Sequence, residues 1–344
     1  MSEYKAVSEF RKDIVSGDWI LVAAGRRNRP GAENLGSGRR EQTPIENCPF
    51  EDPEERNETA VLWYGKPENV ASENLKDWFL RVVPNKFPVL KPHRVCPSES
   101  PRGPFQIMDG IGFHEVIITR DHEKTIADMT EAEIELILRA YRERSISIKN
   151  EDCIEYVLIF HNYGPKAGAS IFHPHSQLIA LPIIPPDVTR SIGGSLEYFE
   201  KNKICVHCVI LDFELKEKIR VIYENDDFVA FCPFASHVSS EIRIYPKAHG
   251  ANFEDINPEI QRNLAGVFKT VFKKLRTAMH DPDYNFFIHT APAKISGRSN
   301  DMSHYHWHIE ILPRTSTWAG LELGTGIEVV AVAPEEAAET LRNL

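Results

Sequence analysis

Residues 156–182 read YVLIFHNYGPKAGASIFHPHSQLIALP, and residues 284–313 read YNFFIHTAPAKISGRSNDMSHYHWHIEILP. Each opens on a short β-branched and aromatic run, passes through a loop of small residues, and closes on a histidine-rich strand. The same order extends upstream. WFLRVVPNKFPVL (78–90) and FHEVIITRDHEKTIADMTEAEIELILRAYRE (113–143) match DFVAFCPFASHV (227–238) and SEIRIYPKAHGANFEDINPEIQRNLAGVFKTVFKK (240–274). Each copy is strand, strand, a loop carrying a histidine, a helix, then two more strands. His122 and His249 hold the loop position, and the spacing aligns His173 with His304. One element order repeated at nearly one offset signals duplication. The fold class is therefore α+β: two tandem modules, each an antiparallel sheet with a packed helix.

Thr130 and Glu133 form a capping box ahead of Ile134, Leu136, Ile137 and Tyr141. In the second copy Ile260, Leu264, Val267, Phe268 and Val271 recur at helical spacing. Turn-rich entry elements, NCPFEDPEE (47–55) and NKICVHC (202–208), precede the copies. The stretch IIPPDVTRSIGG reads as a connector, which places the modules at 1–190 and 191–344. PEEAAETLRNL at the end reads as a helix.

The 344 residues are 42% hydrophobic and 26% charged, which excludes disordered and collagen-like classes. A net charge of −10, from 40 basic against 50 acidic residues, argues against nucleic-acid or anionic-membrane binding. The N-terminus has no apolar signal core, so a cytoplasmic location is expected. In that setting six cysteines point to metal binding or burial rather than to disulfides.

The densest chemistry is His173-Pro174-His175-Ser176-Gln177. On a strand, residues two apart share a face, so His173, His175 and Gln177 align. Pro174 suggests an interrupted strand. A neutral imidazole can attack phosphorus and pass the phosphoryl group on; a histidine pair at this spacing serves equally as metal ligands. Upstream, Gly164, Gly168 and Ser170 form a small-residue loop whose N–H groups can meet phosphate. Arg26-Arg27-Asn28-Arg29-Pro30, with Arg39 and Arg40, is a basic run that suits phosphate. Asn85 and Asn162 sit at strand ends within reach of ribose or phosphate, positions that turn residues also take.

Cys205 and Cys208 can chelate zinc, closed by His249 and one of His304, His306 and His308, with His306 taken as the ligand. The duplication implies a sister set of Cys48, Glu51, His122 and His173, with a carboxylate where the second thiol is expected. That set is either a metal site or a lost one held by packing.

HPHSQ, FHNYGPKAGAS, the RRNRP loop, DHEKT and the duplicated module together resemble galactose-1-phosphate uridylyltransferases, the transferase branch of the histidine-triad superfamily. The likeness runs from about Arg11 to the C-terminus. It implies that His175 is the nucleophile that becomes uridylylated and that Gln177 hydrogen-bonds the transferred phosphoryl group. It puts His173, His122 and Cys48 in a zinc site, and Arg26, Arg29, Asn85, Asn162, Gly168 and Ser170 at nucleotide and phosphate. It also implies a homodimer in which the Gly320–Gly326 segment, with Glu322 on hexose hydroxyls, reaches a neighbouring subunit. The expected activity is ping-pong exchange of UMP between UDP-glucose and galactose 1-phosphate. Gly324-Thr325-Gly326 and Glu328 resemble the ADP-glucose phosphorylase branch instead, where phosphate is the acceptor. A catalytically silent nucleotide-binding zinc protein is the rival from another class.

Overall fold

The computed structural model describes residues 8–28, 43–51, 59–293 and 301–344. Its strands are β1 (Glu9–Lys12), β2 (Trp19–Val22), β3 (Leu62–Gly65), β4 (Trp78–Pro84), β5 (Ser100–Arg102), β6 (Phe105–Ile107), β7 (Phe113–Thr119), β8 (Tyr156–Tyr163), β9 (His175–Leu181), β10 (Val221–Glu224), β11 (Phe228–Phe231), β12 (Ile242–Pro246), β13 (Tyr284–His289), β14 (His308–Pro313) and β15 (Val329–Val330). The helices are α1 (Glu131–Lys149), α2 (Pro186–Asn202), α3 (Val206–Glu217), α4 (Pro258–Met279), α5 (Gly320–Thr325) and α6 (Pro334–Arg342). No helix among the described residues is long and apolar enough to cross a membrane.

The two copies do not form separate sheets. Ten strands make one sheet in the order β10-β11-β12-β14-β13-β8-β9-β7-β4-β3. Read outward from the β13–β8 junction, the halves mirror each other, and every neighbouring pair is antiparallel. β1, β2 and β15 form a separate small sheet, and β5–β6 is an exposed hairpin.

Alternation along the strands sorts the two faces. On β9, Ser176, Leu178 and Ala180 turn toward the helices, while Gln177 and Ile179 face outward and stay partly exposed. On the helix side, Ile137 and Tyr141 of α1 and Leu264, Val267, Phe268 and Phe272 of α4 share one core with Leu178, Phe286 and Ile309. Burying such a Leu or Phe side chain contributes roughly 1.5–3 kcal/mol. The expected capping box is present: Glu133 N–H donates to Thr130 Oγ1 at 3.3 Å, and Thr130 N–H to Glu133 Oε2 at 2.8 Å. For α4, Asn257 caps Ile260 N–H at 2.9 Å.

Three expectations are corrected. The connector read at IIPPDVTRSIGG is the start of α2, with Pro186 at the first helical position, where its missing N–H costs nothing. Gly194 is not a loop residue either; a Cβ there would lie 1.9 Å from the Val15 carbonyl oxygen, so the glycine lets α2 lie against the N-terminal segment. Finally, Cys96 and Cys153 are joined in a disulfide across 57 residues of sequence. No motif spacing announces that pair, because the long excursion between β4 and β7 brings Cys96 to the turn before β8.

Candidate active site and metal-ligand clusters

β9 begins at His175 and not earlier, because Pro174 has no N–H for the ladder. His173 therefore lies on the preceding bend, off the strand face shared by His175 and Gln177, which corrects the three-residue alignment. Both histidines are buried. His175 Nδ1 stands 2.9 Å from the His173 carbonyl oxygen, which can only accept. Nδ1 thus carries the hydrogen, and Nε2 keeps its lone pair. Burial holds the His175 pKa below the usual imidazole range, outweighing the His173 carbonyl, so the ring is neutral at pH 7. Phe50 packs edge-on against it, with ring centroids 5.0 Å apart.

The upstream loop is shaped by two positive-φ glycines. Gly164 has φ +86°, and a Cβ there would strike the Asp283 carboxylate at 2.2 Å; that carboxylate accepts from Lys166 N–H at 2.7 Å. Gly168, at φ +84°, ends the Pro165–Ala167 turn beside exposed Ser170. Asn162 reaches across the junction, its Oδ1 accepting from Asn285 Nδ2 at 2.7 Å; Asn285 also donates to Ala167 O at 2.8 Å. The second half therefore holds the first half's loop. Asn85 sits against His114, and His114 Nε2 lies 2.9 Å from Gln177 Oε1. His114 was not singled out from the sequence. It sits in the quoted strand without a motif partner, and only the β7–β9 register makes it a neighbour of Gln177.

Arg26 is exposed in the turn after β2, with no hydrogen bond or ion pair to this cluster among the described residues. Arg29, Arg39 and Arg40 lie outside the described residues. Glu322 caps α5 by accepting from Ala319 N–H at 3.0 Å.

Two clusters bring four ligand atoms within 4.8 Å of one another: Cys48, Glu51, His122 and His173, and Cys205, Cys208, His249 and His306. In the first, His173 Nε2–H donates to Thr119 O at 2.6 Å and His122 Nε2–H to Thr43 O at 2.9 Å. Both Nδ1 lone pairs then face inward, His173 toward Cys48 Sγ (3.5 Å) and His122 toward Glu51 Oε1 (2.9 Å). In the second, His306 Nε2–H donates to Pro246 O at 3.0 Å, and its Nδ1 meets Cys208 Sγ at 3.7 Å. A backbone carbonyl fixing the tautomer while the other nitrogen meets a thiol or carboxylate is the arrangement metal-ligating histidines use. Cys205 caps α3, so both cysteines lie on its first turn.

The counterpart of His173 is therefore His306, not His304. A longer loop before β14 shifts the alignment by two residues, and histidines at every second position concealed the shift. His304 packs beside Phe199 instead. His308 then matches His175, its Nδ1 3.1 Å from His306 O, and Glu310 matches Gln177. The second half differs from the first at this place. Tyr245 stacks on His308 with centroids 4.6 Å apart, and Glu310 puts a carboxylate where Gln177 puts an amide. His289, His308 and Glu310 form a third close set, which the sequence reading had not grouped.

A buried His-Pro-His junction, two mirrored half-sheets and paired ligand clusters define a tandem histidine-triad protein. In agreement, a HIT domain matches residues 214–316, and the galactose-1-phosphate uridyl transferase N-terminal domain matches residues 1–185. The chain belongs to the galactose-1-phosphate uridylyltransferase family. It is 34% identical to an ADP-glucose phosphorylase of Arabidopsis thaliana, over 98% of this chain and 93% of that protein. It is 28% identical to a galactose-1-phosphate uridylyltransferase of Thermotoga maritima, over 97% and 98%. Among solved structures, an Arabidopsis thaliana ADP-glucose phosphorylase with bound ADP-glucose superposes with a TM-score of 0.80 at 32% identity, covering 98% of this chain and 99% of that one.

Proposed function

We propose that the protein is a nucleotidylyltransferase working by a ping-pong mechanism, exchanging UMP between UDP-glucose and galactose 1-phosphate. The observation that carries this reading is the His175 tautomer, with Nδ1–H bound to the His173 carbonyl and Nε2 left as nucleophile. Nε2 attacks the α-phosphorus of the nucleotide sugar. The bond from that phosphorus to the bridging oxygen breaks, and glucose 1-phosphate leaves with the electron pair. A phosphate oxygen of galactose 1-phosphate then attacks the same phosphorus, breaks the P–N bond and restores the free imidazole. The leaving group is a stable phosphate anion and needs little proton donation, so Gln177 suffices where a hydrolase needs an acid. Gln177, Gly168 and Ser170 would bind the phosphates, and Asn85, Asn162, Arg26 and Arg29 the rest of the nucleotide.

The thiol, carboxylate and imidazole donors of both clusters suit zinc. In the first cluster a bound ion would pin His173, and with it the carbonyl that orients His175. In this reading residues 1–190 are the catalytic module, and residues 191–344 carry the second metal set and the sugar-binding segment. Trp318, Leu321 and Leu323, which flank or lie on α5, are 49%, 46% and 73% exposed, which supports a homodimer placing Glu322 at a partner's hexose.

A second reading keeps the apparatus and changes the substrate: ADP-glucose as donor and phosphate as acceptor. The 34% identity to an ADP-glucose phosphorylase favours it, as does Gly324-Thr325-Gly326. Incubation with UDP-glucose and ADP-glucose separately, followed by intact mass measurement, distinguishes them. A UMP adduct absent from His175→Gln supports uridylyl transfer. An AMP adduct alone moves the protein to the second reading, and no adduct from either leaves a silent nucleotide-binding protein.

A further inference from the structure

His114 is 8% exposed, and its tautomer can be read from its neighbours. Val89 N–H points at Nδ1 from 3.3 Å. A backbone amide can only donate, so Nδ1 is the acceptor and Nε2 bears the hydrogen. Nε2 lies 2.9 Å from Gln177 Oε1, the carbonyl end of that side chain, which accepts. Asn85 Nδ2, also a donor, stands 3.0 Å from Nε2 and makes no hydrogen bond to it in this tautomer, and Asn85 Oδ1 is engaged by Phe87 N–H at 2.8 Å.

An amide side chain has an accepting end and a donating end, and rotation by half a turn exchanges them. With Oε1 tied to His114, the NH2 end of Gln177 is left for the open face that His175 shares. No acceptor among the described residues takes it.

We propose that His114 is a positioning residue that fixes the amide of Gln177 with its NH2 toward the phosphoryl oxygens of the nucleotide. This rests on the reading of His175 as the nucleophile. Without the Nε2–H donor, Gln177 can turn its carbonyl lone pairs toward anionic oxygens and trade an attraction for a repulsion. The charge-assisted bond from Gln177 is then lost for part of the population. The anchor is also local: Val89 and Asn85 belong to the excursion between β4 and β7, so His114 joins that segment to Gln177.

The experiment is a double-mutant cycle on the rate of nucleotidyl-His175 formation, by rapid quench with labelled UDP-glucose and labelled ADP-glucose. His114→Ala should slow adduct formation by about 10–100-fold and leave nucleotide-sugar affinity within about twofold. Paired with Gln177→Ala it should add nothing beyond Gln177→Ala alone. His114→Gln, which returns a donor near the Nε2 position, should recover most of the loss. Additive effects of the two alanine variants, or a wild-type rate in His114→Ala, would overturn the positioning role. If the rate falls equally in His114→Gln and both variants melt early, the residue is merely structural and the proposal fails. Absence of any adduct in the wild-type protein is a separate result, which removes the nucleophile reading and this role with it.

Discussion

The Nδ1 of His175 lies 2.9 Å from the carbonyl oxygen of His173, while the side chain of His173 belongs to the Cys48 cluster. One residue thus orients the His175 ring through its backbone and joins the Cys48 cluster through its imidazole. His173→Ala should leave the nucleophile in place but loosen the bend that carries the carbonyl. The expected outcome is a kcat lower by about 10–100-fold with the His175 adduct still forming. Steady-state kinetics beside intact mass measurement would check it, and an unchanged kcat would detach the cluster from the chemistry.

Metal content should follow the two clusters separately. We expect two equivalents per chain by elemental analysis of the purified protein. Cys208→Ala should lose one and Cys48→Ala the other. Stripping the metal with a chelator should lower the melting temperature, since ion binding to a preformed set stabilises the folded state. A wild-type protein free of metal would refute this.

His237 sets a pH limit on stability. Burial pulls its pKa down, but the hydrogen bond to Glu328 and the field of Glu241 more than offset that and raise it to about 10. A raised imidazole pKa stabilises the fold fully below the unfolded value of about 6.5 and loses that contribution as pH climbs toward the folded value. Denaturant midpoints should therefore fall between about pH 6.5 and 10, at up to ~1.4 kcal/mol per pH unit. His237→Asn should flatten that slope; an equal slope in the variant would assign the loss to other groups.

Gly194 offers a test in which sign alone decides. A glycine-to-alanine change inside a helix ordinarily stabilises by about 1 kcal/mol. Here the added carbon would overlap the Val15 carbonyl, so Gly194→Ala should destabilise by about 1–3 kcal/mol. Chemical denaturation would report it.

Much of this was readable in the chain. The strand and helix order of both copies, the Thr130 cap and the ligand clusters, apart from the choice among His304, His306 and His308, follow from periodicity, cap chemistry and repetition. What escaped were relations set by register and close approach. His114 meets Gln177 only across β7 and β9. The prolines and glycines of α2 look like loop residues because a helix start and a packing notch use the same amino acids as a turn. The His306 alignment was hidden by a loop-length change that an alternating histidine run disguises. Cys96 and Cys153 carry no spacing signal at all.

The β8–β13 seam has a consequence for how this molecule could have arisen and how it can be taken apart. Either half alone would present a full strand edge of unpaired N–H and C=O groups, an invitation to stack indiscriminately with other chains. Covalent fusion gives each edge a permanent partner at high effective concentration. It also ties the halves together, since Asn285 of the second half braces the loop of the first. The second half thus serves the first as scaffolding, and a polypeptide severed between α2 and α3 should recover its fold only when both fragments are present together.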